Sequence, residues 1–208
     1  VEIKTLKVGD LRTNCYLVSE GGEGLVIDPG AEPEKIIKEI GDLKIKAIIL
    51  THGHYDHVTS AFSLKEKLGA PIMIGEKDES LMVLSTGKRA DKLLKDKDKF
   101  VICPASLLQK YNVLRDPALR DNLSFVIIET PGHTPGGISL YNEKEKVVFT
   151  GDTLFAGDWG RTDLPGSSEA EMQLSLQELL KLPPETKVYP GHGQATTIGD
   201  EKNLLKSI

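Results

Sequence analysis

Along the chain, stretches in which apolar and polar residues alternate give way repeatedly to stretches with apolar residues three and four apart, the marks of strands followed by helices. Residues 2 to 8 (EIKTLKV) and 13 to 18 (TNCYLV) predict two strands, and the Gly-rich stretch 21 to 24 predicts a turn into a third at 25 to 27. Apolar positions 36, 37 and 40 between Lys and Glu predict a helix from Pro33 to Ile40, closed by Gly41. A strand at 47 to 50, a helix from Val58 to Leu68, a strand at 71 to 74 and a helix from Glu76 to Leu84 continue the alternation. Later come strands at 124 to 128, 138 to 141 and 147 to 149, the last two joined by a polar turn. A helix at 168 to 180 capped by Ser167 or Ser168, a strand at 187 to 189 and a helix at 200 to 205 complete the pattern.

This order predicts an α/β (α+β) chain folded as one domain over residues 1 to 208, long enough to bury a core without disulfides. Residues 85 to 122 fit the pattern least. A lysine-rich run at 88 to 99 and a helix around 107 to 114 are read there as an insertion or cover over the fold.

Composition narrows the partners. Lys and Arg number 26 against 31 Asp and Glu, a formal charge of −5, which argues against general attraction to nucleic acid or an anionic membrane and leaves a local basic groove open. Cys15 and Cys103 lie far apart, outside metal-ligand spacing, and are read as reduced thiols. The first residues alternate like a strand rather than forming an apolar signal segment, and no apolar run reaches membrane-spanning length, so a cytoplasmic location is expected.

The histidines carry the chemistry. His52, His54 and His57 share the segment THGHYDH with Asp56; His133 and His192 each follow a Pro-Gly. Each segment follows a predicted strand, and Asp152 follows the strand at 147 to 149, so four strand ends deliver imidazoles and a carboxylate into loops that can meet at one edge. His52 and His54 cannot share a helix face but can point the same way from extended backbone. One short loop thus presents three imidazoles and a carboxylate, more than a single tetrahedral ion uses, which favours two metals. A lone histidine is more often simply hydrogen-bonded, but five histidines and two aspartates placed this way would each need a separate structural reason.

On these residues the chain resembles the metallo-β-lactamase superfamily, whose signature is the His-x-His-x-Asp-His loop seen at 52 to 57. Asp28, His133, Asp152 and His192 stand where the family places its further motifs. The resemblance implies an αββα sandwich of two mixed sheets with helices on both outer faces. It also implies one metal on His52, His54 and His133, a second on Asp56, His57 and His192, and Asp152 between them. The stretches 151 to 163, 190 to 193 and 196 to 199 are similar to the glyoxalase II-like (hydroxyacylglutathione hydrolase-like) branch. That similarity implies a hydrolase of S-lactoylglutathione-like thioesters, working through a metal-bridging hydroxide, with two divalent ions, zinc first and iron or manganese as alternatives.

Asp56 is a candidate to accept a proton during turnover, and Asp28 to orient the 52 to 57 loop as an alternative to a plain Asp-Pro-Gly turn. Tyr55, Trp159 and Arg161 are candidates for the substrate pocket; for Arg161 an internal ion pair with Asp163 is the favoured reading. Persulfide dioxygenases, with one iron on the counterparts of His52, His133 and Asp152, resemble the chain too and form the competing class, as does a lactonase. A non-enzymatic metal-binding module ranks last because the ligand set is complete.

Overall fold

The computed structural model describes residues 1–101 and 124–204. The predicted helix around 107 to 114, Cys103 and most of the supposed cover lie outside the described residues.

The amino-terminal sheet contains β1 (Glu2–Val8), β2 (Thr13–Glu20), β3 (Glu23–Ile27), β4 (Lys44–Leu50), β5 (Ile72–Gly75) and β6 (Lys92–Leu94) in that spatial order. β1 to β3 form an antiparallel meander, and β3 to β6 run parallel. The parallel half needs crossovers, and the helices α1 (Pro33–Ile40), α2 (Tyr55–Val58), α3 (Ala61–Leu68) and α4 (Glu79–Thr86) lie in them. The second sheet has the order β14-β13-β10-β9-β8-β7. Its strands are β7 (Lys99–Val101), β8 (Ser124–Glu129), β9 (Ile138–Asn142), β10 (Val147–Gly151), β13 (Lys187–Pro190) and β14 (Thr196–Thr197). β10 and β13 pair parallel, and β9 is antiparallel to both β8 and β10, so β8, β10 and β13 all point the same way. A small hairpin, β11 (Leu154–Phe155) with β12 (Asp158–Trp159), precedes α5 (Glu169–Leu179); α6 (Ile198–Leu204) follows β14.

Side-chain alternation assigns each strand face to a layer. Cys15, Leu17, Val26, Ile48 and Leu50 pack outward against Ile36 and Ile40 of α1 and Leu64 of α3. Their neighbours Tyr16, Val18, Leu25, Ile27 and Ile49 face inward against Phe125, Leu140 and Phe149 of the other sheet. On the far side, Tyr141, Val148 and Val188 meet Met172, Leu176 and Leu179 of α5. Three apolar layers between four layers of structure make the αββα sandwich. No helix among the described residues is long and apolar enough to cross a membrane.

Two expectations change. The helix predicted from Val58 to Leu68 is two helices, broken at Thr59 and Ser60. The Asp56 carbonyl, which an uninterrupted helix would offer to Ser60 N–H, lies against Gly30, and Ser60 N–H donates to Pro29 O at 3.0 Å instead. Asp56 and His57 therefore sit on their own single turn rather than in a loop. The lysine-rich run, read as part of a cover, supplies an edge strand to each sheet, β6 and β7; Lys88 and Arg89 pair with Glu66 and Glu79.

Candidate metal centre

Strand direction brings the polar residues together. Asp28 follows β3 and His52 follows β4; His133, Asp152 and His192 follow β8, β10 and β13. Backbone hydrogen bonds stitch these ends: Ile138 N–H to Thr51 O at 2.9 Å, Gly191 N–H to Gly151 O at 2.7 Å and Asn14 N–H to Gly191 O at 2.7 Å. Asn14 Nδ2 and Tyr16 OH also donate to Pro190 O, fixing the approach to His192.

Among the described residues, three sets have ligand atoms that all lie within 4.8 Å of one another: His52, His54 and His133; Asp56, His57 and His192; and His52, His57 and Asp152. His133 Nε2 is 3.0 Å from His54 Nδ1, and His57 Nε2 is 3.4 Å from His192 Nε2. Asp152 stands between the two histidine groups, with Oδ1 3.5 Å from His57 Nε2, and Oδ2 3.5 Å from His192 Nε2 and 3.7 Å from His133 Nε2. That approach depends on Gly191, where a Cβ would lie 2.0 Å from Asp152 Oδ1 and 2.8 Å from His57 Cε1.

The outer ring nitrogens have their own acceptors. His57 Nδ1 donates to Asp28 Oδ2 at 3.0 Å, His133 Nδ1 to Arg161 O at 2.9 Å and His192 Nδ1 to Leu11 O at 3.2 Å. Thr51 Oγ1 gives its proton to Asp28 Oδ2 at 2.6 Å, so its 3.1 Å contact with His52 Nδ1 is one in which the ring donates. Each of these four imidazoles thereby directs Nε2 inward. His52 Nε2 and Asp152 Oδ1 are buried and have no hydrogen-bond partner, an expensive arrangement for polar atoms unless an ion supplies one. These donors fit divalent metal, with imidazole and carboxylate as the only ligand types.

Electrostatics differ between the two groups. Burial, reinforced by the neighbouring rings of His57, His133 and His54, pushes the His52 imidazole well below its ordinary pKa, keeping it neutral as a ligand must be. Burial and the nearby His133 ring lower His54 in the same way. For His57, burial again opposes charge, but Asp152, Asp28 and Asp56 outweigh it and raise the imidazole to about 9. Asp56 is penalised by burial, yet interactions with His192, His57 and the Thr13 hydroxyl hold its carboxyl well below the usual carboxylate range. Thr13 Oγ1 donates to Asp56 Oδ2 at 2.8 Å.

Around the centre, Tyr55 is 60% exposed and lines a cavity of about 390 Å³ with Val8, Leu11, Thr13 and Asp56. Trp159, 37% exposed, lies on the β11–β12 hairpin. Arg161 forms a two-point ion pair with Asp163 at 2.6 and 2.7 Å, while its carbonyl holds His133. Spacing along the chain does not reveal Thr13, Thr51 and Asp78: the first two act on Asp56 and Asp28, distant in sequence, and Asp78 on backbone N–H groups, which leaves no motif.

The model of the metallo-beta-lactamase superfamily matches residues 8–192, and the chain belongs to that family. It is 36% identical over 207 residues to hydroxyacylglutathione hydrolase GloC of Haemophilus influenzae, covering 97% of this chain and 95% of that protein. Among solved structures, the BLEG-1 B3 metallo-beta-lactamase superposes with a TM-score of 0.83 at 30% identity, covering 97% of each chain. TTHA1623 in a di-iron-bound form gives 0.76 at 35% identity, covering 99% of this chain and 100% of that one. The family and the His and Asp cluster together point to a metal-dependent hydrolase with two divalent metals.

Proposed function

We propose that the chain hydrolyses S-lactoylglutathione-like thioesters, with one metal on His52, His54 and His133, a second on Asp56, His57 and His192, and Asp152 shared between them. Zinc is the proposed metal. The observation that carries the reading is the position of Asp152, whose Oδ2 lies 3.7 Å from His133 Nε2 of one group and 3.5 Å from His192 Nε2 of the other. The 36% identity to a hydroxyacylglutathione hydrolase along nearly the whole chain supports the thioester as substrate.

When bound, the metals supply Lewis-acid polarisation and lower the pKa of water towards neutrality. The chain's own residues orient and enclose. The outer ring nitrogens of His52, His57, His133 and His192 are held by Thr51, Asp28, the Arg161 carbonyl and the Leu11 carbonyl, so all four rings keep their aim. Asp56 stays ionised, which suits ligation better than storing a proton. Tyr55 and Leu11 give the substrate an apolar wall beside Asp56. Because Asp163 already engages the Arg161 guanidinium, that residue shapes its loop in preference to binding substrate. Cys15 is fully buried, and burial raises its thiol far above the reactive range, so it is no nucleophile.

The test is metal content together with turnover of S-lactoylglutathione. Two ions per chain, hydrolysis that vanishes with a chelator and returns with metal, and joint loss of both in His54→Ala and Asp152→Ala are expected. A two-ion chain that cleaves a lactone or a β-lactam but no thioester overturns the substrate reading. A single iron with oxygen uptake on a persulfide overturns the reaction class.

A further inference from the structure

Asp78 belongs to neither histidine group, yet it joins the backbone segments that carry one of them. It is fully buried, with Oδ2 accepting from Gly53 N–H at 2.8 Å and Oδ1 from Gly136 N–H at 2.6 Å. Gly53 stands between His52 and His54, and Gly136 lies three residues beyond His133. One carboxylate thus ties together the main chain of all three histidines. An aspartate immediately before a helix ordinarily uses its side chain to cap the first turn. Asp78 occupies that place before α4 and makes no cap hydrogen bond; both oxygens are turned to the histidine segments.

Packing tightens the same junction. A Cβ at Gly136 would lie 2.3 Å from Asp78 N, so the start of α4 is pressed directly on the His133 loop. Ser85 Oγ, one turn further into α4 than Leu81, donates to Gly53 O at 2.9 Å and holds the other segment from its carbonyl side. Asp56, His57 and His192 have different supports, namely Thr13, Asp28 and the Leu11 carbonyl.

We propose that Asp78 is a positioning residue for the His52, His54 and His133 site alone, setting the separation of the two segments that this metal must bridge. The inference rests on the metal-centre reading and not on the choice of thioester as substrate.

Calorimetric titration of the full chain, stripped of metal, with Zn²⁺ tests it in wild type, Asp78→Asn, and the same change in His133→Ala and His192→Ala backgrounds. The amide of Asn offers one acceptor where two N–H groups need two. In Asp78→Asn one site is expected to weaken about 10–100-fold and the other by less than about threefold. The substitution should leave the site remaining in His133→Ala unchanged and weaken the one remaining in His192→Ala. Equal weakening of both sites, or no weakening of either, overturns the proposal, whatever happens to the Tm. If the variant does not fold, amide exchange on the wild type decides: slow exchange at both Gly53 and Gly136 supports the clamp, and fast exchange at either overturns it. A wild type that takes up fewer than two ions overturns the centre itself. Two ions and the expected pattern without thioester turnover overturn only the substrate reading.

Discussion

Asp28 and His57 face each other with both side chains buried, Asp28 Oδ2 accepting from His57 Nδ1 at 3.0 Å. The same carboxylate accepts from Thr51 N–H at 2.7 Å and from Thr51 Oγ1, which in turn receives the His52 ring proton. One aspartate therefore orients a histidine of each group. Asp28 holds a φ of 51°, a left-handed conformation unfavourable for a residue other than glycine and tolerated where surrounding contacts fix it.

Removing this carboxylate is expected to be severe. Asp28→Ala strands the His57 and Thr51 donors in the interior and should destabilise the protein by about 3–5 kcal/mol, the cost of breaking one side of a buried pair. Denaturant unfolding of metal-stripped wild type and variant checks this. A loss no larger than that of an ordinary surface substitution would show that Asp28 is only a turn residue.

The raised pKa of His57 gives two pH dependences. In metal-stripped protein the protonated ring is stabilised by Asp152, Asp28 and Asp56, and its folded value of about 9 lies above the unfolded value of about 6.5. This contribution, on the order of 3 kcal/mol, is fully present below about pH 6.5 and is lost as pH rises through about 9. Metal requires the unprotonated ring, so affinity at the Asp56, His57 and His192 group should rise with pH and level off near 9. Urea melts and metal titrations across pH 6 to 10, as a rough range, read both trends; a flat affinity profile would contradict the assignment of His57.

Gly191→Ala probes the close approach at Asp152. The added methyl would lie 2.0 Å from Oδ1, which forces the carboxylate or the 190 to 193 segment to move. Metal content and hydrolysis should fall together while far-UV circular dichroism stays native. Wild-type metal content in this variant would mean that Asp152 does not need its observed position.

Much of the secondary structure is legible locally. Period-two alternation in EIKTLKV and TNCYLV marks β1 and β2, and the apolar spacing after Pro33 marks α1 to the residue. Ser168, one of two candidates, is the cap of α5, its side chain accepting from Glu171 N–H. The short elements were not legible. β6, β7, β11, β12 and β14 have two or three residues each, too few for a period, and exist because a neighbouring edge pairs with them.

The side chains that cluster at this edge can be named from the sequence. His52, His54, Asp56, His57, His133, Asp152 and His192 are placed after strand-like runs, and spacing along the chain is enough to reveal that. Tertiary structure alone decided how these side chains are grouped and held. The break between α2 and α3 follows from Pro29 taking the Ser60 N–H, and the His192 ring is fixed by a carbonyl 181 residues away. Asp78 reaches Gly136 across 58 residues. Hydrophobic period and metal-ligand type are properties of single residues and near neighbours. Hydrogen bonds to backbone groups of distant segments depend on how two sheets and their crossovers close on one another, and any residue with a carbonyl or N–H can supply them.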